Sequence, residues 1–433
     1  MLISFFGKFL KYKSKGEDIS LPLIDLSVKP EGIPEELEYL YELSTVDKAA
    51  DYFAHPDAVV LADGSIMNYY PEGHGKGSIR SAISFDGGVT YQPSPYKTPD
   101  SWLKSRETPT VYRLRFVEDD VKDKLVLFSA NPKWPNEPTV GGFNCPISED
   151  EGKSWSEFQL FYPKTDKENG IKSSVVAMSA LIQLKENGRF VNKWMGLFHD
   201  NSFNNYKTIL TFDENGKPDW SVPVKYFEKY KDIQYGTQMC EVELIRSDKG
   251  QGDEICLITR SNTKRCNSLI SFSTDEGETW SEPKEVNANL NGERHKAEYT
   301  DDGRLVISFR SIIRDKNIIR KYKKIDTPKL FRSYGPCAWV GTYDDLKNGA
   351  EGQYFIKLAH TYLVNQRNPD LAANGDTGYC GNVVLDDDTV VISTYGCFSA
   401  EEFTADGSKY KTYIASKRFK LSDIDKLAEL TAK

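Results

Sequence analysis

The sequence predicts an all-β protein, a six-bladed β-propeller, and three observations support that prediction. A turn motif, Ser-x-Asp-x-Gly-x-Thr/Ser-Trp/Tyr, recurs along the chain, and its copies are almost evenly spaced. The segments between the copies have the short apolar runs and turn signals of strands. An even period of this length, filled with strands, is typical of a radial β array. The 433 residues accommodate six such units with terminal extensions.

The clearest copy of the motif runs from Ser273 to Trp280. Its Asp275 can accept backbone N–H hydrogen bonds, Gly277 permits a positive φ, and the indole of Trp280 can pack between strands. Other copies, some complete and some loosened or eroded, lie at 84–91, 148–155, 211–220 and 342–346. Spacings of 64, 63 and 62 residues separate the aspartates of four copies, Asp86, Asp150, Asp213 and Asp275. We therefore expect one such turn per blade, on the outer rim and far from the central mouth.

Helices are expected near the two ends of the chain. One is expected from Pro34 to Phe53, because a proline suits the first turn and the two glutamates that follow it complement the helix dipole. Another is expected from Ser422 to Leu430, where apolar residues fall on one side. The chain is accordingly divided into an N-terminal arm and helix, a propeller and a C-terminal helix, at 1–53, 54–418 and 419–433.

Composition and charge exclude several classes of protein. No run of 18 apolar residues is present, so no membrane partner is expected, and a net charge of −8 disfavours nucleic acid. Seven cysteines, without a Cys-x-x-Cys pair, argue against a disulfide framework and a structural zinc site. We predict no metal or other cofactor. The short apolar start lacks a following small-residue cleavage site, so we expect no signal peptide and a cytoplasmic location.

A basic segment interrupts the repeat between Ser311 and Gly335. It carries eight Lys or Arg residues against two Asp. A solvated surface loop or a subunit contact would account for this composition. The alternative is a positive rim that attracts an anionic sugar.

The repeated turn is the Asp box, and with it the chain resembles the sialidase superfamily of six-bladed β-propellers. The resemblance implies an exo-acting glycoside hydrolase that removes a terminal acidic sugar, such as sialic acid, from an acidic oligosaccharide or sialoglycan. It also implies a tyrosine nucleophile paired with a glutamate, arginines that hold the substrate carboxylate, and a general acid. Asp boxes also occur in propellers that are not sialidases.

The expected site residues follow from matching short segments to the family pattern. Tyr379, in Thr-Gly-Tyr-Cys, resembles the nucleophile segment, and Glu243, in Glu-Val-Glu-Leu, would be its base. The substrate carboxylate would be held by arginines that end strands, namely Arg260 and Arg310, with Arg294 and Arg332 as alternatives. Glu107 is a further candidate for binding substrate at the mouth, and His199 and Asp200 are others.

Two departures from the family pattern affect the site. The Arg-Ile-Pro tripeptide that opens the first blade is replaced by a segment containing His55-Pro56, so the first arginine of the clamp is absent. Before the first Asp box, where the family has the aspartate that acts as the general acid, the chain has a glycine-rich segment. This segment carries Glu72 and His74, either of which would replace the missing general acid. Because His55 and His74 lie one strand pair apart, we expect both at one end of the first blade.

Two other functions stay open. The His-Pro and Gly-His-Gly segments also resemble those of propeller lyases that act on uronate-containing glycans. That resemblance implies a β-elimination in which His55, His74 and Tyr112 transfer protons and one arginine holds the substrate carboxylate. The missing clamp arginine instead favours a non-catalytic propeller that binds glycans.

Overall fold

Six β-sheets, arranged around one axis, form the blades of a propeller in the computed structural model. The structure describes residues 19–75, 77–132, 141–161, 174–314, 331–363, 375–404 and 409–431. The first strands of the six blades contact one another in sequence, and the last contacts the first, so the ring is closed. The predicted six-bladed, mostly β fold is confirmed.

Each blade is a sheet whose first strand lies innermost, and the strands pair antiparallel except for Leu23–Asp25 in blade V. Blade I consists of Asp57–Val60, Ile66–Pro71, Ile79–Ser84 and Gln92–Pro93. Blade II consists of Thr110–Leu114, Lys124–Ala130, Phe143–Asn144, Ile147–Ser148 and Leu160–Phe161. Blade III consists of Val175–Glu186, Arg189–His199, Asn205–Phe212, Pro218–Trp220 and Val224–Lys225.

The other three blades follow the same plan. Blade IV consists of Met239–Arg246, Ile255–Ser261, Leu269–Ser273 and Lys284–Glu285. Blade V consists of Gly292–Tyr299, Leu305–Ser311, Pro336–Gly341, Tyr354–Lys357 and Leu23–Asp25. Blade VI consists of Cys380–Val384, Val390–Gly396, Tyr413–Phe419 and Ser44–Asp47. A separate pair joins Ile313–Arg314 to Phe331–Arg332.

The predicted N-terminal helix is wrong beyond its first turns. A 3₁₀ helix spans Glu35–Tyr41, and Ser44–Asp47 is then a strand that pairs with Tyr413–Phe419 on the outer edge of blade VI. The last blade has an open edge whose backbone groups need partners, and this requirement overrides helix propensity. The N-terminal segment therefore completes two blades, because Leu23–Asp25, in the predicted arm, also pairs in parallel with Tyr354–Lys357 in blade V.

The C-terminal helix is present and spans Leu421–Thr431. Its Leu421, Ile424 and Leu427 are buried against the N-terminal 3₁₀ helix and blades V and VI. The remaining helices are short and lie in connections: Asp100–Lys104, Glu228–Tyr230, Lys231–Thr237, Ala288–Leu290, Tyr343–Asn348 and Ala400–Glu402. Among the described residues, no helix is long and apolar enough to cross a membrane. All seven cysteines are buried, and none of them forms a disulfide bond.

Three Asp boxes have the same hydrogen-bonded turn. In blade IV, Asp275 Oδ1 accepts from the Ser273 hydroxyl at 2.8 Å and the Thr279 backbone N–H at 2.8 Å, and Oδ2 accepts from the Thr279 hydroxyl at 2.6 Å. The turns around Asp86 and Asp150 repeat these bonds. The looser copy keeps only the backbone contacts, from Asn215 and Lys217 to Asp213.

The eroded copy at 342–346 does not form a hairpin turn. Thr342 caps the helix Tyr343–Asn348, and its hydroxyl accepts from the Asp345 N–H at 3.1 Å while the Asp345 carboxylate accepts from the Thr342 N–H at 2.7 Å. This reciprocal capping box stabilises a helix start. The segment lies at the blade position of an Asp box but has lost the glycine that the turn requires.

Strand direction places the Asp boxes and the mouth of the propeller at opposite ends. In blades I, III and IV the box follows the third strand, at 84–91 for example, and in blade II it follows Ile147–Ser148, which likewise pairs antiparallel with the second strand. In an antiparallel sheet, that end of the blade also holds the end of the first strand and the start of the second. The starts of the first strands and the ends of the second strands therefore meet at the other end, and the candidate site lies there.

Candidate functional site

The backbone has an unusual conformation at the starts of three inner strands, close to the mouth. His55, Glu241 and Arg294 have φ values of 48°, 49° and 55°, in the left-handed region that non-glycine residues rarely adopt. The strand pairing shifts register at Glu241 and Arg294, as expected of bulges, which re-aim side chains next to active sites. Because such backbone is strained, its repetition in three blades marks these positions as candidates for function.

Tyr379 and Glu241 form a hydrogen-bonded pair at the mouth. The Tyr379 hydroxyl donates to the Glu241 carboxylate at 2.9 Å and accepts from Arg260 Nη1 at 2.8 Å. Arg260 Nη1 also lies 2.7 Å from Glu241 Oε1, which closes a triangle. Burial keeps the pKa of Tyr379 well above its usual value. Burial would also raise the pKa of Glu241, but Arg260 outweighs it, so the pKa lies below its usual value. A neutral phenol thus faces an ionised base.

The structure pairs Tyr379 with Glu241 and not with Glu243, which corrects the sequence-based pairing. Glu243 accepts from the Ala297 N–H at 3.3 Å and lies near Lys296, and burial raises its pKa to about 7. In a regular strand, residues 241 and 243 would share a face. The bulge at Glu241 breaks that alternation, and a sequence of the form Glu-Val-Glu gives no sign of it.

Glu293 lies between the two arginines that were expected to hold a substrate carboxylate. Its Oε1 is 3.0 Å from Arg260 Nη2, and its Oε2 accepts from Arg310 Nε at 2.8 Å. Lys264 Nζ is also 2.9 Å from Oε1. Burial opposes ionisation, but these three cations together hold the pKa of Glu293 well below its usual value. The sequence analysis did not identify Glu293.

The arginines differ in what they contact. The guanidinium of Arg310 lies over the Tyr379 ring, 4.4 Å from its centroid, so both Arg260 and Arg310 reach the tyrosine. Arg294 is buried and its Nη1 donates to the Ser179 carbonyl at 3.3 Å. The side chain of Arg332, and most of the basic segment that contains it, lie outside the described residues.

His55 and His74 meet at the mouth end of blade I, with ring centroids 5.0 Å apart. His74 Nδ1 lies 2.6 Å from Asp376 Oδ2, and this hydrogen bond raises the pKa of His74. Tyr395 donates to Asp376 Oδ1 at 2.5 Å, and the Tyr52 hydroxyl contacts Oδ2. Burial would raise the pKa of Asp376, but His74 and the neighbouring cations bring it below its usual range. The sequence analysis missed Asp376, although it lies three residues before Tyr379.

His55 is buried and uncharged. Its ring stacks on Tyr379, with centroids 5.0 Å apart, and burial lowers the pKa of His55 to about 3. The Thr108 hydroxyl lies 3.0 Å from His55 Nδ1 and donates to Glu107 Oε1 at 3.1 Å. Because that hydroxyl has one proton, it accepts from His55 Nδ1–H, and His55 Nε2 is the unprotonated nitrogen.

Glu107 lies beside the histidines, in a space that a glycine leaves open. A Cβ atom at Gly75 would lie 2.9 Å from Glu107 Oε1, and Gly75 has a φ of 70°. Burial raises the pKa of Glu107. Glu72, by contrast, accepts from Arg80 Nε at 2.8 Å and is half-exposed. Glu107 and His74 are therefore the candidates for a proton donor next to Tyr379.

The other sequence candidates have structural contacts. The Tyr112 hydroxyl donates to the Met178 carbonyl at 2.8 Å. His199 stacks on Phe203, and burial lowers its pKa to about 4. Asp200 accepts from two backbone N–H groups of its own turn.

One group of described residues has the donor set of a metal site. Ligand atoms of His55, His74 and Asp376 lie within 4.8 Å of one another. Both oxygens of Asp376 already contact tyrosine hydroxyls, and Arg310 Nη1 lies 3.7 Å from Oδ1. A cation would have to displace these contacts beside a guanidinium, so this arrangement favours proton transfer.

Solved structures similar to this chain are propellers, several of them glycosidases. A protein of unknown function from Dyadobacter fermentans is 17% identical with a TM-score of 0.56, covering 87% of this chain and 97% of that one. An α-L-arabinofuranosidase from Fusarium graminearum, in complex with an iminosugar inhibitor, is 12% identical with a TM-score of 0.55, covering 88% and 98%. The NanB sialidase from Streptococcus pneumoniae is 12% identical with a TM-score of 0.52, covering 88% and 70%.

The comparison by sequence identifies a family. No curated protein matches the chain. A family model described as a BNR repeat-like domain matches residues 104–321, which is half of the chain and includes Asp boxes of blades II to IV. The chain therefore belongs to the BNR repeat-like domain family.

Proposed function

We propose that this protein is a glycoside hydrolase that removes a terminal sugar, with Tyr379 as its nucleophile. The observation that carries the proposal is the Tyr379 hydroxyl, shared between the carboxylate of Glu241 and the guanidinium of Arg260 at the mouth of the propeller. A phenol with an adjacent ionised base is an activated nucleophile. The similarity of the fold to glycosidase propellers supports the same reaction class.

The first half of the reaction forms a glycosyl-tyrosine. Tyr379 Oη bonds to the anomeric carbon, its proton passes to Glu241, and the bond from the anomeric carbon to the leaving oxygen breaks. Arg260, 2.8 Å from the hydroxyl, and Arg310, over the ring, stabilise the negative charge that develops on the tyrosine. His74 donates a proton to the leaving oxygen.

The second half returns the enzyme to its starting state. His74, now neutral, takes a proton from water as the water oxygen bonds to the anomeric carbon. The bond to Tyr379 breaks, and Glu241 returns its proton to the phenolic oxygen. The sum is hydrolysis with one water consumed and retention of configuration at the anomeric carbon.

His74 suits the role of general acid better than its neighbours. Its hydrogen bond to Asp376 favours the protonated ring and occupies Nδ1, which leaves Nε2–H for the substrate. His55 is held neutral by burial, so it has no proton to donate from Nε2. Glu107, whose pKa burial raises, is the alternative donor.

The resemblance to sialidases suggests an acidic terminal sugar such as sialic acid. Other similar propellers differ in this respect: a Fusarium graminearum α-L-arabinofuranosidase and a Penicillium chrysogenum α-L-arabinanase were each solved with arabinobiose, a neutral sugar. Whether this chain accepts an acidic sugar depends on whether Arg260 and Arg310 are open to a substrate carboxylate.

A panel of aryl glycosides with different terminal sugars tests the proposal. We expect release of the phenol from at least one of them, loss of that activity in Tyr379→Phe, and a large loss in Glu241→Gln. Tyr91→Phe is the matched control. Tyr91 belongs to the Asp box of blade I, at the opposite end of the propeller, and its hydroxyl donates to Ser416. Full activity of Tyr379→Phe would contradict the assigned nucleophile.

The contact between His55 and His74 favours a second candidate, β-elimination on a uronate-containing glycan. In that reaction the unprotonated Nε2 of His55 is a base, and His74 is a proton donor. The product would carry a new double bond, which ultraviolet absorbance detects. Formation of the unsaturated uronate together with the departing saccharide, and without any saturated uronic acid, would establish the lyase and exclude the hydrolase. Saturable glycan binding without either product would instead indicate a non-catalytic propeller.

A further inference from the structure

We propose that the sugar accepted next to Tyr379 carries no carboxylate, because the protein's own Glu293 occupies the place between the two arginines. The inference concerns the substrate class of the site and rests on the proposed function only where cleavage is measured. Binding tests it independently.

The N–H groups of Arg260 are occupied within the protein. Nη1 contacts Glu241 and the Tyr379 hydroxyl, and Nη2 contacts Glu293 at 3.0 Å and Asn262 Oδ1 at 2.8 Å. The remaining nitrogen, Nε, is buried without a hydrogen-bond partner and is inaccessible to a ligand. No planar pair of N–H groups of this guanidinium is therefore left to receive a substrate carboxylate.

Arg310 is occupied in the same way. Its Nε and Nη2 both contact Glu293 Oε2, at 2.8 and 2.5 Å, so the edge of the guanidinium that could receive a substrate carboxylate is occupied. Its Nη1 donates to the Thr377 carbonyl at 3.2 Å and lies 3.7 Å from Asp376. The side chain of Glu293 is 4% exposed, so this carboxylate is a fixed part of the wall.

The cations around Glu293 are already paired with carboxylates of the protein before any substrate enters, and protonated His74 is paired with Asp376. The cations Arg260, Arg310 and Lys264 face the carboxylates Glu241, Glu293 and Asp376, and all three carboxyl groups have pKa values below their usual range. A substrate carboxylate would add an unpaired negative charge beside Glu293. Like charges this close repel strongly where water is largely excluded. A neutral sugar avoids this repulsion and can bond through its hydroxyl groups.

Saturation-transfer NMR on the wild-type protein tests the inference with neutral and acidic sugars, among which D-galactose and D-glucuronic acid are a pair of similar size. The probes are L-arabinose and D-galactose against N-acetylneuraminic acid and D-glucuronic acid, with the corresponding aryl glycosides assayed in parallel. We expect a neutral sugar to bind and be cleaved at least tenfold better than either acidic one. Preferential binding or cleavage of an acidic sugar would overturn the inference. Neutral-sugar binding without hydrolysis would refute the proposed function but support this inference.

Replacement of Glu293 provides the second arm. Glu293→Gln keeps the shape and removes the charge, so it should increase the affinity for N-acetylneuraminic acid at least tenfold. Glu278→Gln, on the exposed rim of the blade IV Asp box, is the matched control and should not change it. If Glu293→Gln does not fold, the binding and cleavage measurements on the wild-type protein test the inference on their own. Folded Glu293→Gln with unchanged affinity for acidic sugars would count against the inference.

Discussion

Replacing His74 with alanine separates a catalytic role from a structural one. The His74 side chain is 69% exposed and its neighbours Gly73 and Gly75 both have positive φ, so it contributes little packing. Its removal costs the hydrogen bond to Asp376, so we expect the free energy of unfolding to fall by about 1–3 kcal/mol and the protein to stay folded. As the general acid, however, His74 should contribute roughly 10²–10⁴-fold to kcat on a substrate with a poor leaving group.

The assay compares two substrates that differ only in the leaving group. An alkyl glycoside needs protonation of the departing oxygen, whereas a nitrophenyl glycoside departs with little help. With the alkyl glycoside, His74→Ala should show the full loss of kcat. With the nitrophenyl glycoside, its kcat should be close to that of the wild-type protein. An equal loss on both substrates would refute the acid role, and unchanged activity on both would leave His74 outside the mechanism.

Two further predictions concern the pairing of His74 with Asp376 and the stability of the fold. Asp376→Asn removes the charge that raises the pKa of His74. Because activity requires protonated His74, the alkaline limb of the pH profile of kcat/KM should move to lower pH. An unchanged alkaline limb in the folded variant would contradict the pairing of His74 with Asp376. Trp280→Ala should lower the free energy of unfolding by about 3–5 kcal/mol, because the indole is 6% exposed and packs on Phe227. A loss below about 1 kcal/mol, measured by urea unfolding, would mean that the Asp-box tryptophan does not stabilise the blade.

The fold could be predicted because its signal is local and repeated. Asp275 and its counterparts form their turn with residues only two to four positions away, so the sequence contains the whole motif. The edge strand Ser44–Asp47 could not be predicted in the same way, because its partner is more than 350 residues away in the chain. Local propensity favoured a helix there, and the open edge of the last blade decided otherwise.

Site residues at the ends of regular strands could be predicted from the sequence, whereas a residue whose side chain is redirected by a β-bulge could not. Tyr379, Arg260, Arg310, His55 and His74 do come together, as strand order required. The bulge that turns Glu241 instead of Glu243 towards the tyrosine leaves no trace in the sequence.

The acidic residues that pair with the cations of the site were also not predicted from the sequence. Glu293 and Asp376 are single acidic residues in ordinary surroundings, and only the closure of the ring brings them to the arginines and to His74. They change the interpretation of the arginines, because a guanidinium that already holds a carboxylate is not available for another.

Covalent trapping tests the central claim most directly. The enzyme is incubated with a 2-deoxy-2-fluoro glycosyl fluoride of the sugar that the aryl glycoside panel identifies, and its peptides are analysed by mass spectrometry. The fluorine slows hydrolysis of the intermediate more than its formation, so the adduct accumulates. We predict one sugar attached to the peptide that contains Tyr379, and none in Tyr379→Phe. An adduct on Glu241 or Glu107 instead would contradict the assignment of Tyr379 as the nucleophile.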